Sequence, residues 1–416
     1  MRKLSIIICV YNTPKSYLEE CLGSLTETTL GGGASVPPVD YEILMIDDGS
    51  TENYSDLVEK YGVRYHKTEN RGIFRARLLG IELAEGEYIA FCDSDDTVTF
   101  NYHRPMLRLA EDEHADIVIN DWAFHTERSR YYCVSDTTIS TDIALFGNEC
   151  ISAFCEQEGR MHSYYVLWNK LFSADVLKRM AAQVSPIAEG KERFNFSEDA
   201  LMVFFAFKFS SRVRNLHTGY YFYRIHDSQS VSVISEARLR RQIECMGVTL
   251  SIMRDECRSL PNGEDMVTHI DEWSRLMSRT HYSHARGGGY QSLYPLIKQT
   301  YGVSELRGST RADGAAYADN VLIGANIDKI DALLLKVFKE GGVIDSASID
   351  PYALRAAEAM INIGGRVEFS KGNGTIIPKE SISLKRKFYH IPIVYKLGMM
   401  LFPKGSRIRA FLKRRL

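Results

Sequence analysis

Three carboxylates fall within four positions at Asp93-Ser94-Asp95-Asp96, directly behind the apolar run Tyr88-Ile89-Ala90-Phe91-Cys92. Like charges crowded at the end of a buried strand repel one another. The usual relief is a raised pKa or a divalent cation shared with a phosphate-bearing ligand. Carboxylate oxygens are hard ligands, so Mg or Mn suits them better than Zn or Cu. A helix N-cap would also use aspartates after a strand. A second acidic pair, Asp47-Asp48 with Gly49-Ser50, closes the apolar run at 41–46, and the run at 5–10 leads into Tyr11-Asn12.

Something must bring these distant segments together. Residues 5–10, 41–46 and 88–92 read as buried strands and 63–66 as a short strand, with helices predicted over 16–25, 54–61 and 73–84. Strands without polar alternation, separated by helices, indicate a parallel sheet covered on both faces. In such sheets ligands bind beyond the carboxyl ends of the strands. That rule puts Tyr11-Asn12, Asp47-Asp48 and 93–96 on one rim.

The 416 residues, 45% hydrophobic and 25% charged, suit a soluble globular protein of two or three domains. No apolar stretch is long enough to cross a bilayer, and residues 4–10 are too short for a signal-peptide core, so a cytoplasmic protein is expected. The 8 cysteines form no CxxC pair and read as reduced thiols. Charge is nearly balanced at -2, but 381–416 holds ten Lys or Arg and no acidic residue, interleaved with aliphatic and aromatic side chains. Such a basic, apolar tail suits an anionic membrane surface rather than nucleic acid; a helix docked on the acidic body is the other reading.

The order Ser5 to Asn12, Ile46-Asp47-Asp48-Gly49-Ser50-Thr51, Asn70-Arg71-Gly72 with Ala76-Arg77, and Gly86-Glu87-Tyr88-Ile89 leading into Asp93-Ser94-Asp95-Asp96 resembles glycosyltransferase family 2. The resemblance implies a GT-A fold of the α/β class and inverting sugar transfer from a nucleotide diphosphate. UDP is implied more than GDP. Tyr11 would offer the base a flat face, with Asn12 beside it, and Asp47 or Asp48 would accept from the uracil imide. Arg77 would meet base or diphosphate, and Asp93 the ribose or the metal's water shell. Asp95 would be the direct metal ligand, supported by Asp96. Cys9 and Leu78 depart from the family pattern, where proline and asparagine are usual.

The segments 166–172 and 194–201 resemble the acceptor half of bacterial members. Inversion by direct displacement needs a base on the acceptor hydroxyl. Asp199 is the candidate, with Glu198 orienting a sugar hydroxyl; a plain helix cap at Ser197-Glu198-Asp199 is the alternative. In 220–232, Arg224 is expected to reach the diphosphate and His226 to complete the metal shell. Trp168, Tyr164 and Tyr165 could stack on acceptor sugars or fill the core.

Beyond 235 the apolar spacing is helical, at 237–260, 265–285, 290–301, 327–338 and 351–363. The expected organisation is a GT-A domain at 1–234, divided into a nucleotide half (1–122) and an acceptor half (123–234). A mostly helical region (235–380) and the basic tail (381–416) follow. The expected partners are a nucleotide-sugar donor, a glycan or lipid-linked glycan acceptor and the inner face of the cell membrane, and an oligomer is possible. Two rivals are a nucleotidyltransferase and a glycan-binding scaffold without turnover. The first would want a Gly-rich, Lys-bearing loop after the first strand, where Tyr11-Asn12-Thr13-Pro14 stands.

Overall fold

The computed structural model describes residues 2–28, 40–98, 102–126, 131–135, 143–156, 164–190, 194–225, 235–308, 320–326, 365–370 and 373–378. The chain forms two compact units, one from 1–127 with 134–321 and the other from 128–133 with 322–416.

The first unit begins with β1 (Leu4–Val10), α1 (Lys15–Gly23), β2 (Tyr41–Asp47), α2 (Ser55–Tyr61), β3 (Arg64–Lys67), α3 (Ile73–Leu83) and β4 (Tyr88–Asp93). These are the elements that the apolar runs predict, with ends shifted by a residue or two. Strands β3, β2, β1 and β4 lie side by side and parallel. The register sets Val10 beside Asp47 and Cys9 beside Asp93, so the polar residues following each strand emerge at one level.

Both faces of β1, β2 and β4 are buried, whereas β3, at the edge, is exposed. Ile7, Leu44, Ile46, Ile89 and Phe91 join one hydrophobic cluster, while their neighbours Ile6, Ile8, Ile43, Met45, Ala90 and Cys92 join the other. Two-sided burial explains why the strands read as unbroken apolar runs rather than as alternating ones.

The chain continues through β5 (Thr97–Val98), α4 (His103–Glu113), β6 (Ile117–Thr126), β7 (Tyr131–Ser135), β8 (Ala144–Phe146), α5 (Asn148–Glu156), β9 (Lys170–Ser173), α6 (Ala174–Gly190), α7 (Glu198–Phe209) and β10 (Arg212–Ile225). Strand β9 runs antiparallel between β4 and β6, which makes the sheet mixed. β10 pairs with β6 and, antiparallel, with β5, and so returns the chain to the acidic turn. Helix α7 is buried from Ala200 through Phe207. A helix that is apolar on all sides has to sit inside the protein.

Three further helices, α8 (Glu236–Arg258), α9 (Gly263–Gly288) and α10 (Tyr294–Tyr301), follow. Their Ile243, Met246, Leu250, Met253 and Ile270 belong to the same core as Phe204 and Phe205 of α7. The compact unit therefore runs past residue 234, because these helices complete the cover over α7. No helix among the described residues is long and apolar enough to cross a membrane.

The helical expectation for the region after 235 is met by these three helices, and three strands are also described further on. These are β11 (Asn320–Asn326), β12 (Gly365–Ser370) and β13 (Asn373–Pro378), the last two an antiparallel hairpin. In the sequence Val367 and Phe369 alternate with Arg366 and Glu368, the period of a strand. The helices expected at 327–338 and 351–363, and the tail 381–416, lie outside the described residues.

Candidate active site

Tyr11 follows β1 and is 55% exposed, an unusual state for a large aromatic beside a buried sheet. Asn12 takes the left-handed backbone conformation (φ 51°), and its side-chain oxygen accepts from the N–H and the hydroxyl of Thr51 at 2.9 and 3.0 Å. Its own N–H donates to Ser50 Oγ at 2.9 Å. The first loop is thus laced to the loop after β2.

Both carboxylates of that second loop are internal. Asp47 is fully buried and accepts from the Ser50 N–H and from the Tyr65 hydroxyl, with Lys67 Nζ 3.7 Å away. Burial alone would raise its pKa, yet these donors hold it below the ordinary value. Asp48 accepts from the N–H groups of Arg71 and Gly72 at 2.7 and 2.8 Å. Gly72 has φ 93°, and a Cβ there would lie 2.4 Å from Asn195 Oδ1, so the turn after β3 is closely opposed to the segment before α7.

In the acidic turn, Asp96 points inward. It is 1% exposed and accepts from the Tyr221 hydroxyl at 2.6 Å and the Arg224 N–H at 2.7 Å. Burial, then Asp95 and Asp93, raise its pKa well above the ordinary carboxylate range. The same Tyr221 hydroxyl accepts from the Asp93 N–H at 2.9 Å. The phenol therefore ties both ends of the turn to β10. Tyr221 stacks on Trp168 with ring centroids 4.4 Å apart, and Trp122 meets Trp168 edge-on at 5.4 Å.

Arg77 joins the two halves of the site. Its side chain is 6% exposed, with one amino group 3.3 Å from Asp93 Oδ1 and the other 2.9 Å from Glu198 Oε1. These partners are separated by 16 and 121 residues of sequence. One guanidinium faces Asp93, Glu198 and Asp199 together. Burial and the Asp199 charge push Glu198 up to about 7 against the pull of Arg77. Burial also raises Asp199, opposed by Arg77 and by an N–H···O bond from Ala200 at 2.8 Å. Asp93, raised by burial and by Asp95, keeps a 29% exposed side chain. Two rims of acid, from β4 and from α7, thus meet at one cation.

Several expected roles are placed differently. Arg77 is held between its two carboxylate partners, at the end of β4 and the start of α7. Arg224 donates through Nε to the Asp95 carbonyl at 2.6 Å, pairs with Glu20 and lies 4.5 Å over the Tyr17 ring. Its planar fork braces the acidic turn from behind. Trp168 and Tyr164 are 4% and 2% exposed, so they pack the core and cannot serve as open sugar platforms. Ser197, at the cap position of α7, makes no side-chain capping bond. His226 lies outside the described residues. His281 is buried with Nδ1 2.5 Å from the Tyr301 hydroxyl, a core contact.

Nothing in the sequence marks Tyr221, Thr249 or Lys170 for a role at the site. Lys170 is 1% exposed and donates to Val166 O and Asn169 Oδ1. Burial moves its pKa well below the ordinary value. The one available signal was the cost of burying Asp96, which demands a donor from elsewhere in the chain.

Residues 5–150 match the family described as Glycosyl transferase family 2. The putative glycosyltransferase EpsH of Bacillus subtilis (strain 168) is 32% identical over 314 residues, spanning 71% of this chain and 85% of that protein. A poly(ribitol-phosphate) beta-glucosyltransferase of Bacillus spizizenii is 40% identical over 103 residues, 23% of this chain and 15% of that protein. In fold, the chain is similar to Staphylococcus aureus TarS 1-349 solved in complex with UDP-GlcNAc, with a TM-score of 0.51 at 18% identity over 91% of this chain and 97% of that one. Because the likeness to EpsH extends over most of both proteins and the fold agrees, this chain belongs to glycosyltransferase family 2 and is a glycosyltransferase.

Proposed function

We propose that the protein moves a sugar from UDP to a hydroxyl of a glycan acceptor, with inversion, and that Asp199 takes the acceptor's proton. The observation carrying this reading is the Asp93–Arg77–Glu198 bridge, which sets the end of β4 against the start of α7. A donor diphosphate at the strand ends and an acceptor at the helix start would then face one another, as in-line displacement requires. TarS was solved with UDP-GlcNAc, which supports a nucleotide-sugar donor, and the Bacillus spizizenii relative is named for poly(ribitol-phosphate), which supports a polymeric, hydroxyl-bearing acceptor.

A divalent metal, Mn or Mg, fits the acidic turn in one way. Asp96 accepts from Tyr221 and Arg224, and Asp95 with the partly exposed Asp93 would supply the hard oxygen donors. Bound there, such an ion neutralises the charge that develops on a departing diphosphate. The chain's own residues do the rest: Tyr221 and Arg224 fix the turn, Tyr11 offers the uracil a face, and Asp199 accepts the proton late, as the new bond forms.

With Mn present and a panel of UDP-sugars, UDP release is the expected readout. Sugar 1-phosphate as the product, with no UDP, would indicate transfer of the nucleotidyl group instead. Calorimetry showing no metal-dependent uptake of UDP or any UDP-sugar by folded protein would overturn the reading. Tyr11→Ala is expected to raise the donor KM by roughly ten- to a hundredfold, since base stacking contributes about 1–3 kcal/mol.

The basic tail supports a lipid-linked acceptor at an anionic membrane surface. Deleting 381–416 should release the protein from vesicles containing phosphatidylglycerol; unchanged sedimentation with them would remove that part of the proposal.

A further inference from the structure

We propose that Thr249, on helix α8, is a positioning residue for the acceptor-side carboxylates, its hydroxyl holding Ser197 in the backbone conformation from which Glu198 and Asp199 project. The inference rests on the reading of Asp199 as the base.

Ser197 has φ 59° and ψ 12°, the left-handed region that residues with a Cβ rarely adopt. It stands at the N-cap of α7, where a serine oxygen ordinarily accepts from an N–H in the first turn. Here no such bond forms. The Ser197 Oγ lies 2.8 Å from Thr249 Oγ1 instead, and the two residues are 8% and 0% exposed. Each hydroxyl is buried, so each depends on this pairing and a lone survivor would be penalised.

The flanking residues show that the segment is gripped from two sides. Phe194 packs on Phe74 of α3 with ring centroids 5.6 Å apart, and Asn195 closes on Gly72. On the other side Phe196 meets His281 of α9 at 5.7 Å. Residues 194–197 thus span from the turn that Asp48 holds to the helices beyond 235. The last contact before Glu198 is the one to Thr249. An unusual backbone angle at that point sets the direction of both carboxylates, and small misplacements of a reacting group cost rate steeply.

The test uses the full chain. Thr249→Val, which keeps the shape and removes the hydroxyl, is expected to lower kcat roughly ten- to a hundredfold with donor KM within about twofold of the parent. Thr249→Ser retains the hydroxyl and should restore most of kcat. In a Ser197→Gly background the left-handed angle no longer needs support, so adding Thr249→Val should cost less than about twofold further. This double variant also leaves no orphaned hydroxyl, and it carries the comparison if the single variant fails to fold. Unchanged kcat in folded Thr249→Val, or an equally large loss in the glycine background, would overturn the proposal. Asp199→Asn measured alongside separates the two readings: an active Asp199→Asn removes the base, whereas an inactive one beside an unaltered Thr249→Val removes only the positioning role.

Discussion

Asp199→Asn is expected to lower kcat by about 10²- to 10⁴-fold, the range a positioned general base supplies, with little change in donor KM or in melting temperature. The amide keeps the side chain's size and its acceptor for the Ala200 N–H, and removes only the ability to take a proton. The change also removes one negative charge from a site in which a single guanidinium faces three carboxylates, so the fold should tolerate it. Steady-state kinetics of UDP release, with thermal unfolding as the control, checks this. Turnover within a few-fold of the parent would mean that another group accepts the proton.

Arg77→Met should have the largest effect on stability. Removing one member of a buried ion pair leaves its partner's charge uncompensated and typically costs about 3–5 kcal/mol. Here two partners, Asp93 and Glu198, would be left. A fall in melting temperature on the order of 10 °C follows for a unit of this size. Adding Glu198→Gln to Arg77→Met should recover part of the loss, because it removes one of the stranded charges. Arg77→Lys should recover less than a charge count suggests, since one ammonium cannot span two carboxylates with a planar fork. If Arg77→Met melted within about 2 °C of the parent, the bridge would not be holding the halves together.

The sheet was legible because β1, β2 and β4 are buried on both faces and so carry apolar runs that end at polar or charged residues. The rim followed from the parallel arrangement alone. The contacts that decide roles were not legible. Arg77 and Glu198 are 121 residues apart, and Asp96 and Tyr221 are 125. No local pattern marks a phenol as the donor to a distant carboxylate, or separates an arginine aimed at a phosphate from one aimed at two acids. Arg224 illustrates the second case: its sequence context suggests a ligand contact, and packing gives it to Glu20 and the Asp95 carbonyl. Thr249 lay in a helix whose period was plain, but amphipathic spacing says only that a side faces inward, not what its hydroxyl meets.

The stack of Trp122, Trp168 and Tyr221 gives the protein an internal optical reporter. Two of the three tryptophans of the chain sit in this line of rings, which ends in the hydroxyl bonded to Asp96. Any shift of the turn that moves this phenol must alter the surroundings of an indole in van der Waals contact with it. Intrinsic emission and near-ultraviolet dichroism would therefore register a movement of this turn directly, with no label attached and no substrate consumed.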